Sequence, residues 1–178
     1  MEVLIVIIVC AAAILLVAWR QKASGSRHNP QENPIKPSTV SSQEHQAIEE
    51  YTEKIRLDPN HAKAYNNRGL SYRKSGQNER AIEDYTEAIR LDPNYLMAYF
   101  NRGISYGHSG QFEMEIEDYT QAIRLDPNDA KAYNNRGAAY HMLGEYEKAI
   151  ENYDEAIRLD PGDERAIKNR ELTLAKIN

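Results

Sequence analysis

The chain has 178 residues, a formal net charge of −5 and 28% charged side chains. Residues 44–178 alone hold 18 basic and 25 acidic side chains, a net charge of −7. This acidic balance argues against nucleic acid as a partner, since phosphate binding needs a basic surface. The single cysteine, Cys10, excludes an intrachain disulfide bond.

The first predicted element is an apolar helix near the N-terminus. The seventeen residues from Val3 to Trp19 carry no charge, and a helix of that length spans about 26 Å. Arg20 and Lys22 follow it directly. Because basic flanks stay in the cytoplasm, residues 1–22 are predicted to form a transmembrane signal-anchor, with the N-terminus outside and the remaining chain cytoplasmic.

A cleaved signal peptide is the alternative, and it would make the protein exported or periplasmic. The apolar stretch has no basic residue before it, and the small residues at positions 23–25 lie beyond two cations. The uncleaved anchor is therefore favoured. Residues 23–42, rich in Pro, Ser, Asn and Gln, are predicted to form a flexible tether.

The rest of the chain repeats with a fixed period. Identical Ile-Arg-Leu-Asp-Pro runs end at four prolines spaced 34 residues apart: Pro59, Pro93, Pro127 and Pro161. A period of this length indicates a stacked solenoid of helix pairs rather than one closed core. The predicted fold class of residues 43–178 is therefore all-α.

Each repeat is predicted to hold two helices. In the first repeat they cover residues 62–75, ended by Gly76, and residues 79–91, stopped by Pro93. The whole repeats are 62–95, 96–129 and 130–163. A half-repeat at 44–61 precedes them, and a capping helix at 164–177 covers the last one through Leu174 and Ile177. The candidate N-caps of the following helices are Asn60, Asn94 and Asn128.

Small and bulky residues alternate between fixed columns of the repeat. The small columns should let paired helices approach closely, and they are Gly69, Gly103, Gly137 and Ala88, Ala122, Ala156. Tyrosine fills three further columns, which explains twelve tyrosines against two phenylalanines. We interpret these tyrosines as packing residues: Tyr65, Tyr99, Tyr133; Tyr72, Tyr106, Tyr140; Tyr85, Tyr119, Tyr153.

This frame resembles the tetratricopeptide repeat (TPR) family over residues 44–178, and the resemblance implies a right-handed solenoid. Two departures stand out. Arginines precede the column of glycines, and we interpret them as structural, with their heads paired to carboxylates: Arg68, Arg102 and Arg136. Glu115 occupies a close-packing column that otherwise holds Ala81 and Ala149. A carboxylate there is costly unless it tilts outward or meets a cation, so the middle repeat should be looser.

No catalytic pattern is present in the sequence. It contains no Gly-rich phosphate loop, no Cys/His cluster with metal-ligand spacing and no nucleophile motif. The acidic second helices, for example Glu113, Glu115, Glu117 and Asp118, are explained by a solvated face. We therefore expect no enzyme activity, no cofactor and no metal.

The resemblance implies that the first helices line a concave groove. Of 24 positions mapped to it, seven carry Lys or Arg and none carries Asp or Glu. A basic groove on an acidic body predicts an anionic ligand. The candidate peptide-binding residues are Lys63, Asn66, Asn67, Arg73, Met97, Phe100, Asn101, Ile104, Lys131, Asn134, Asn135, Arg165 and Lys168.

Three kinds of contact are expected from these residues. A ladder of Asn67, Asn101 and Asn135 should hold an extended backbone, as such asparagines commonly do in TPR grooves. Phe100 stands where the other repeats have asparagine, and it should take an apolar side chain of the ligand. The clamp that the family uses for chaperone tails needs Lys and Asn on the first groove helix, where this chain has Asn66 and Leu70. It also needs Lys and Arg on the third, where Lys131 is present but Asn135 replaces the arginine, so those tails are not expected.

The sequence therefore predicts a membrane-tethered TPR adaptor. Its groove would bind an acidic, partly apolar peptide of a protein partner, in the assembly of a membrane-associated complex. The alternative is a self-assembling scaffold, a homo-oligomer in which basic concave faces meet acidic convex faces.

Overall fold

The structure, a computed structural model, describes residues 41–177. Over these residues it forms eight helices and no strand, joined by turns of three or four residues. The helices are α1 (Ser42–Leu57), α2 (Ala62–Lys74), α3 (Asn78–Leu91), α4 (Leu96–His108), α5 (Phe112–Leu125), α6 (Ala130–Met142), α7 (Tyr146–Leu159) and α8 (Glu164–Ile177). Each helix packs against the next, and the eight helices confirm the predicted all-α solenoid over these residues.

The predicted anchor, Val3 to Trp19, and nearly all of the tether lie outside the described residues. Within residues 41–177, none of the helices has both the length and the apolar character needed to cross a membrane.

The two kinds of turn have different local causes. After the first helix of each repeat a glycine adopts a left-handed conformation, as Gly76 does with φ of 78°. Between repeats, the Asp58 carboxylate accepts a hydrogen bond from the backbone N–H of Asn60 at 3.0 Å. The predicted asparagine N-caps are wrong, because this turn places each N-cap one residue later. The residues at those positions are His61, Tyr95 and Asp129.

Within each repeat the two helices meet at a glycine and a tyrosine. Tyr85, Tyr119 and Tyr153 are 0%, 1% and 2% exposed. A Cβ atom added at Gly69 would lie 2.8 Å from Cε1 of Tyr85. One added at Gly137 would lie 2.8 Å from Cε1 of Tyr153. The glycine column therefore makes room for the ring of the partner helix, as the sequence predicted.

An arginine on α2 links three consecutive helices, α1, α2 and α3. Arg68 donates from Nε and Nη2 to the Asp84 carboxylate at 2.8 and 2.7 Å, and from Nη1 to the Thr52 hydroxyl at 3.2 Å. The rings of Tyr65 and Tyr72 lie beside its guanidinium, with centroids 5.6 and 5.9 Å away. This confirms the structural interpretation for Arg68 and, with equivalent partners, for Arg102. The predicted carboxylate partner is wrong for Arg136, which pairs with a neutral side chain.

The same link recurs in the next repeats with one change. Arg102 pairs with Asp118 at 2.9 and 2.7 Å and donates to Thr86 at 2.9 Å. Asp118 is 3% exposed, so the prediction that it lies on a solvated face is wrong. In the third repeat Arg136 donates to the neutral side chain of Asn152 at 2.8 Å.

The final helix α8 covers the last repeat through small residues. Ala166 and Thr173 are both 0% exposed. The Oγ1 atom of Thr173 lies 2.8 Å from Nδ1 of His141 on α6. The prediction that Ile177 covers the repeat is wrong, because this residue lies one turn further on and is 45% exposed.

The glycine–tyrosine contact predicts the effect of a methyl group. Gly137→Ala should lower the free energy of unfolding by about 1–3 kcal/mol, because its Cβ overlaps the Tyr153 ring and overpacking outweighs the helix propensity of alanine. Gly162→Ala is the matched control, since its Cβ would have only one neighbour, at 3.5 Å. Urea unfolding of both variants measures the difference. Equal stability of the two variants would show that the helices separate freely at Gly137.

Candidate functional site

The first helices of the repeats form the inner layer of the solenoid. The helices α2 and α4 contact each other, as do α6 and α8, whereas the second helices make no comparable contact among the described residues. Stacked units crowd most closely on the inside of a curve, so the first helices lie on the concave side, which we call the groove. The contact between α4 and α6 is weaker than the contacts of the other first-helix pairs.

The candidate asparagines form two internal links across the groove. Asn101 donates to Asn66 at 3.1 Å, which joins α4 to α2. Asn169 donates to Asn134 at 3.1 Å, which joins α8 to α6. Asn66, Asn101 and Asn134 are 5%, 6% and 5% exposed, so their amides are engaged inside the fold. Asn67 and Asn135 are half-buried.

The link is missing between α4 and α6 because Phe100 stands where asparagine is needed. Asn135 turns instead to the Tyr119 hydroxyl, to which it donates at 3.2 Å. The Phe100 ring packs edge-on against Tyr119, with centroids 5.4 Å apart. Tyr99, Ile104 and Ile123 pack against the same cluster. Phe100 is thus half-buried and already supported by the fold.

The basic candidates differ in how they are paired. Lys63, Lys131 and Lys168 are exposed and form no ion pair with any described residue. Arg165 is paired with Asp163 at 3.1 Å. Arg73 is half-buried, and its Nε atom has no hydrogen-bond partner among residues 41–177. Met97, the remaining apolar candidate, is 50% exposed.

A cavity of about 410 Å³ opens between α4, α5 and α6. Its lining comprises Ile104, Gly107, His108, Phe112, Glu115, Tyr119, Asn135, Ala138, Ala139 and Met142. Ile104 and Asn135 are residues that the sequence assigned to the groove. Glu115 on α5 was not among them, so the prediction that the groove lining lacks carboxylates is wrong at this position.

Glu115 reaches the cavity because Gly107 has no side chain. A Cβ atom at Gly107 would lie 2.6 Å from Oε2 of Glu115, so the carboxylate occupies the space of the absent side chain. The corresponding residues of the other repeats are Arg73 opposite Ala81 and His141 opposite Ala149. The middle repeat therefore exchanges the large and small partners. The exchange is visible in the sequence at positions 107 and 115, but the repeat pattern alone does not show that these two positions face each other.

Burial changes the acidity of this carboxyl group. The pKa of Glu115 is raised to about 7, because burial penalises the charged form more than the Tyr119 hydroxyl stabilises it. The pKa of the Tyr119 hydroxyl is itself raised by burial, with the charge of Glu115 adding to the effect. The cavity thus contains a carboxyl group that titrates near neutral pH.

The raised pKa predicts how stability depends on pH. The folded-state pKa of about 7 lies above the ordinary value of 4.5, so the stabilising effect of the proton is complete below about pH 4.5 and lost as the pH rises through 7. Glu115→Gln should therefore raise the free energy of unfolding at about pH 8. The gain should be about 1–2 kcal/mol, less than the full shift implies because solvent reaches the carboxylate.

Glu117→Gln, on the exposed face of the same helix, is the control. Denaturant unfolding of both variants and the parent chain at about pH 5 and about pH 8 measures the effect. A parent chain that matches Glu115→Gln at both pH values would show that Glu115 titrates normally.

The fold and the groove define the class of protein. It is a helical-repeat solenoid that presents a surface. Family models identify the repeats. The model described as "Tetratricopeptide repeat" matches residues 62–95 and 130–163, and a second model of that description matches 84–117. The model described as "TPR repeat" matches 108–144. Residues 62–163 are therefore tetratricopeptide repeats, and the chain is a scaffold of the TPR type.

Solved structures of other proteins share this fold. A crystal structure of MamA is 29% identical, covers 75% of this chain and 78% of its own, and has a TM-score of 0.73. The first TPR of Spaghetti (RPAP3), solved with the HSP90 peptide SRMEEVD, is 28% identical, with coverage of 65% and 92% and a TM-score of 0.64. The Arabidopsis OM64 TPR domain is 27% identical, with coverage of 65% and 95% and a TM-score of 0.63. No curated protein sequence gives a significant match.

Proposed function

We propose that this chain is a membrane-tethered TPR adaptor whose groove binds an acidic, partly apolar, extended peptide of a protein partner. The observation that carries the proposal is the unequal pairing of its cations. Several cations of the second helices pair with an acid one turn away, as Arg90 does with Glu87 and Arg158 with Glu155. Lys63, Lys131 and Lys168 on the first helices find no acid among the described residues, so their charge is available to a ligand.

The relatives support a short acidic peptide as the kind of ligand. The domain solved with SRMEEVD is a TPR domain, and that peptide has three acidic residues and one arginine among its seven, with an apolar methionine and valine. The clamp expected for chaperone tails is incomplete in this chain, so the ligand class carries over and the particular partner does not.

The groove side chains divide the work of binding. We assign the ligand backbone to Asn67 and Asn135, which are half-buried at the groove. Asn66, Asn101 and Asn134 hold adjacent first helices together and so fix the spacing of the groove. Met97, exposed beside the half-buried Phe100, offers apolar surface to the ligand.

Removal of the free charge tests the groove. An acidic peptide selected from a random library on the full-length chain serves as the ligand. Each exposed ion pair contributes about 0–1 kcal/mol, so a single Lys→Ala change should have little effect. The triple change of Lys63, Lys131 and Lys168 to Ala should weaken binding by about tenfold or more. Calorimetric titration at low and high salt measures the affinity, which should fall with salt.

The matched control reverses exposed charge on the convex side, at Glu83, Glu117 and Glu151. This variant should keep its affinity for the selected peptide. Loss of binding in the convex variant, with the triple lysine variant intact, would place the contact surface on the outer face and would favour the self-assembling scaffold instead.

The membrane part of the proposal rests on residues 1–22 of the sequence. An anchor there would confine the groove to the membrane surface and raise its effective concentration for partners at the same membrane. Because Arg20 and Lys22 follow the apolar residues, we place the repeats in the cytoplasm.

Protease protection tests this topology. Protease added outside intact cells should leave the repeats undigested, because the bilayer shields a cytoplasmic domain. The protein should also sediment with membranes and keep its N-terminal residues when the mature N-terminus is determined. Digestion of the repeats from outside, or a mature chain that begins near Ser26, would support the exported form.

A further inference from the structure

The cavity between α4, α5 and α6 has apolar walls and one acidic group. Ile104, Phe112, Ala138, Ala139 and Met142 provide hydrocarbon surface on three helices. Glu115 provides a carboxylate above Gly107. A pocket of this composition suits a side chain that is apolar along its length and polar at its tip.

The Glu115 carboxylate has no cationic partner, unlike the other acids buried in this fold. Asp84 and Asp118 are each held by two hydrogen bonds from an arginine. No ion pair to Glu115 forms among residues 41–177. A half-buried carboxylate without a counterion is destabilising, and a cation brought by a ligand would relieve that cost.

The titratable groups that line the cavity with Glu115 come from α5 and α4. Tyr119 lies on α5, the helix that carries Glu115, and His108 lies on α4. The lining residues from α6 are uncharged. Arg73 on α2 acts electrostatically on the Tyr119 hydroxyl. The cavity therefore has net acidic character within a groove whose exposed lysines are basic.

The columns of the repeat show which group is missing. The first and third repeats carry a basic or imidazole side chain, Arg73 or His141, where the second has Gly107. His141 uses its ring to contact Thr173 on the next first helix. In the second repeat the Glu115 carboxylate occupies that place instead. A basic side chain that enters the cavity would therefore meet an acid as its charge partner.

We propose that this cavity is a specificity pocket that takes a lysine or arginine side chain of the bound peptide and pairs its charge with Glu115. The inference rests on the proposed peptide-binding function and adds to it a requirement on the ligand. The peptide is acidic towards its ends, opposite Lys63, Lys131 and Lys168. It carries one basic residue in register with the middle repeat.

The acidity of Glu115 makes this contact dependent on pH. With a pKa of about 7 the free carboxyl is largely neutral below that pH and largely charged above it. Pairing with a cation favours the charged form, so the bound state has a lower pKa than the free state. Affinity for the basic side chain should therefore rise as the pH increases through 7.

The test uses small molecules that reproduce only the side-chain tips. The probes are n-butylammonium and n-butylguanidinium, with butyrate and butanol as matched anionic and neutral controls. The full-length chain, in a mild detergent, is observed by methyl NMR at about pH 6 and about pH 8. We expect the two cations to shift the methyl signals of Ile104, Ala138 and Met142, with several-fold tighter binding at the higher pH.

Two variants make the result specific. Glu115→Gln should abolish the cation-dependent shifts, whereas Glu117→Gln should keep them. Gly107→Arg, which supplies the basic side chain of the first repeat, should block the probes by pairing with Glu115 itself. Equal shifts with butyrate, or unchanged shifts in Glu115→Gln, would overturn the proposal.

The probes also separate this inference from the function on which it rests. They need only the cavity, so they can bind even if no acidic peptide occupies the groove. Conversely, a selected acidic peptide that loses affinity in the triple lysine variant, but not in Glu115→Gln, would leave the adaptor function intact and refute the pocket.

Discussion

The contact of a tyrosine ring with a bare backbone holds each repeat together. The second helix brings Tyr85, Tyr119 or Tyr153 against a glycine of the first, so the ring lies directly on the backbone of the first helix. This approach brings the arginine before that glycine within reach of an acid on the partner helix. Because the distance between the two helices is similar in each repeat, the repeats differ mainly in the contacts that they make with one another.

The contacts between repeats are not the same along the whole groove. Asparagine pairs join α2 to α4 and α6 to α8, and Phe100 interrupts the series in the middle. The same repeat contains Gly107 and Glu115 in place of a large residue opposite alanine. Gly107 and Glu115 line one cavity, and Phe100 packs against Tyr119, which lines the same cavity. Departures that look independent along the chain therefore lie close together in the fold.

Periodicity was sufficient to predict the helices, the solenoid and the structural arginines, because each follows from local geometry repeated every 34 residues. The N-caps were missed because the turn bonds of Asp58 shift the cap by one residue. Glu115 was assigned to a solvated face because a helical pattern shows only one helix at a time. The direction of the Glu115 side chain depends on Gly107 of a different helix, α4. This dependence is seen only when α4 and α5 are packed together.

The arginine links end differently at the last repeat. Arg136 has the neutral Asn152 as its partner, and Arg170 on α8 turns back to Asp154, where earlier repeats have threonine. A recombination event that copied residues 96–129 over the third repeat would put aspartate at position 152 and threonine at position 154. Arg136 would then have an aspartate as its partner, and Arg170 on α8 would lose the aspartate that it now contacts. The units of this array are thus not interchangeable, because the third repeat is matched to the helix that follows it.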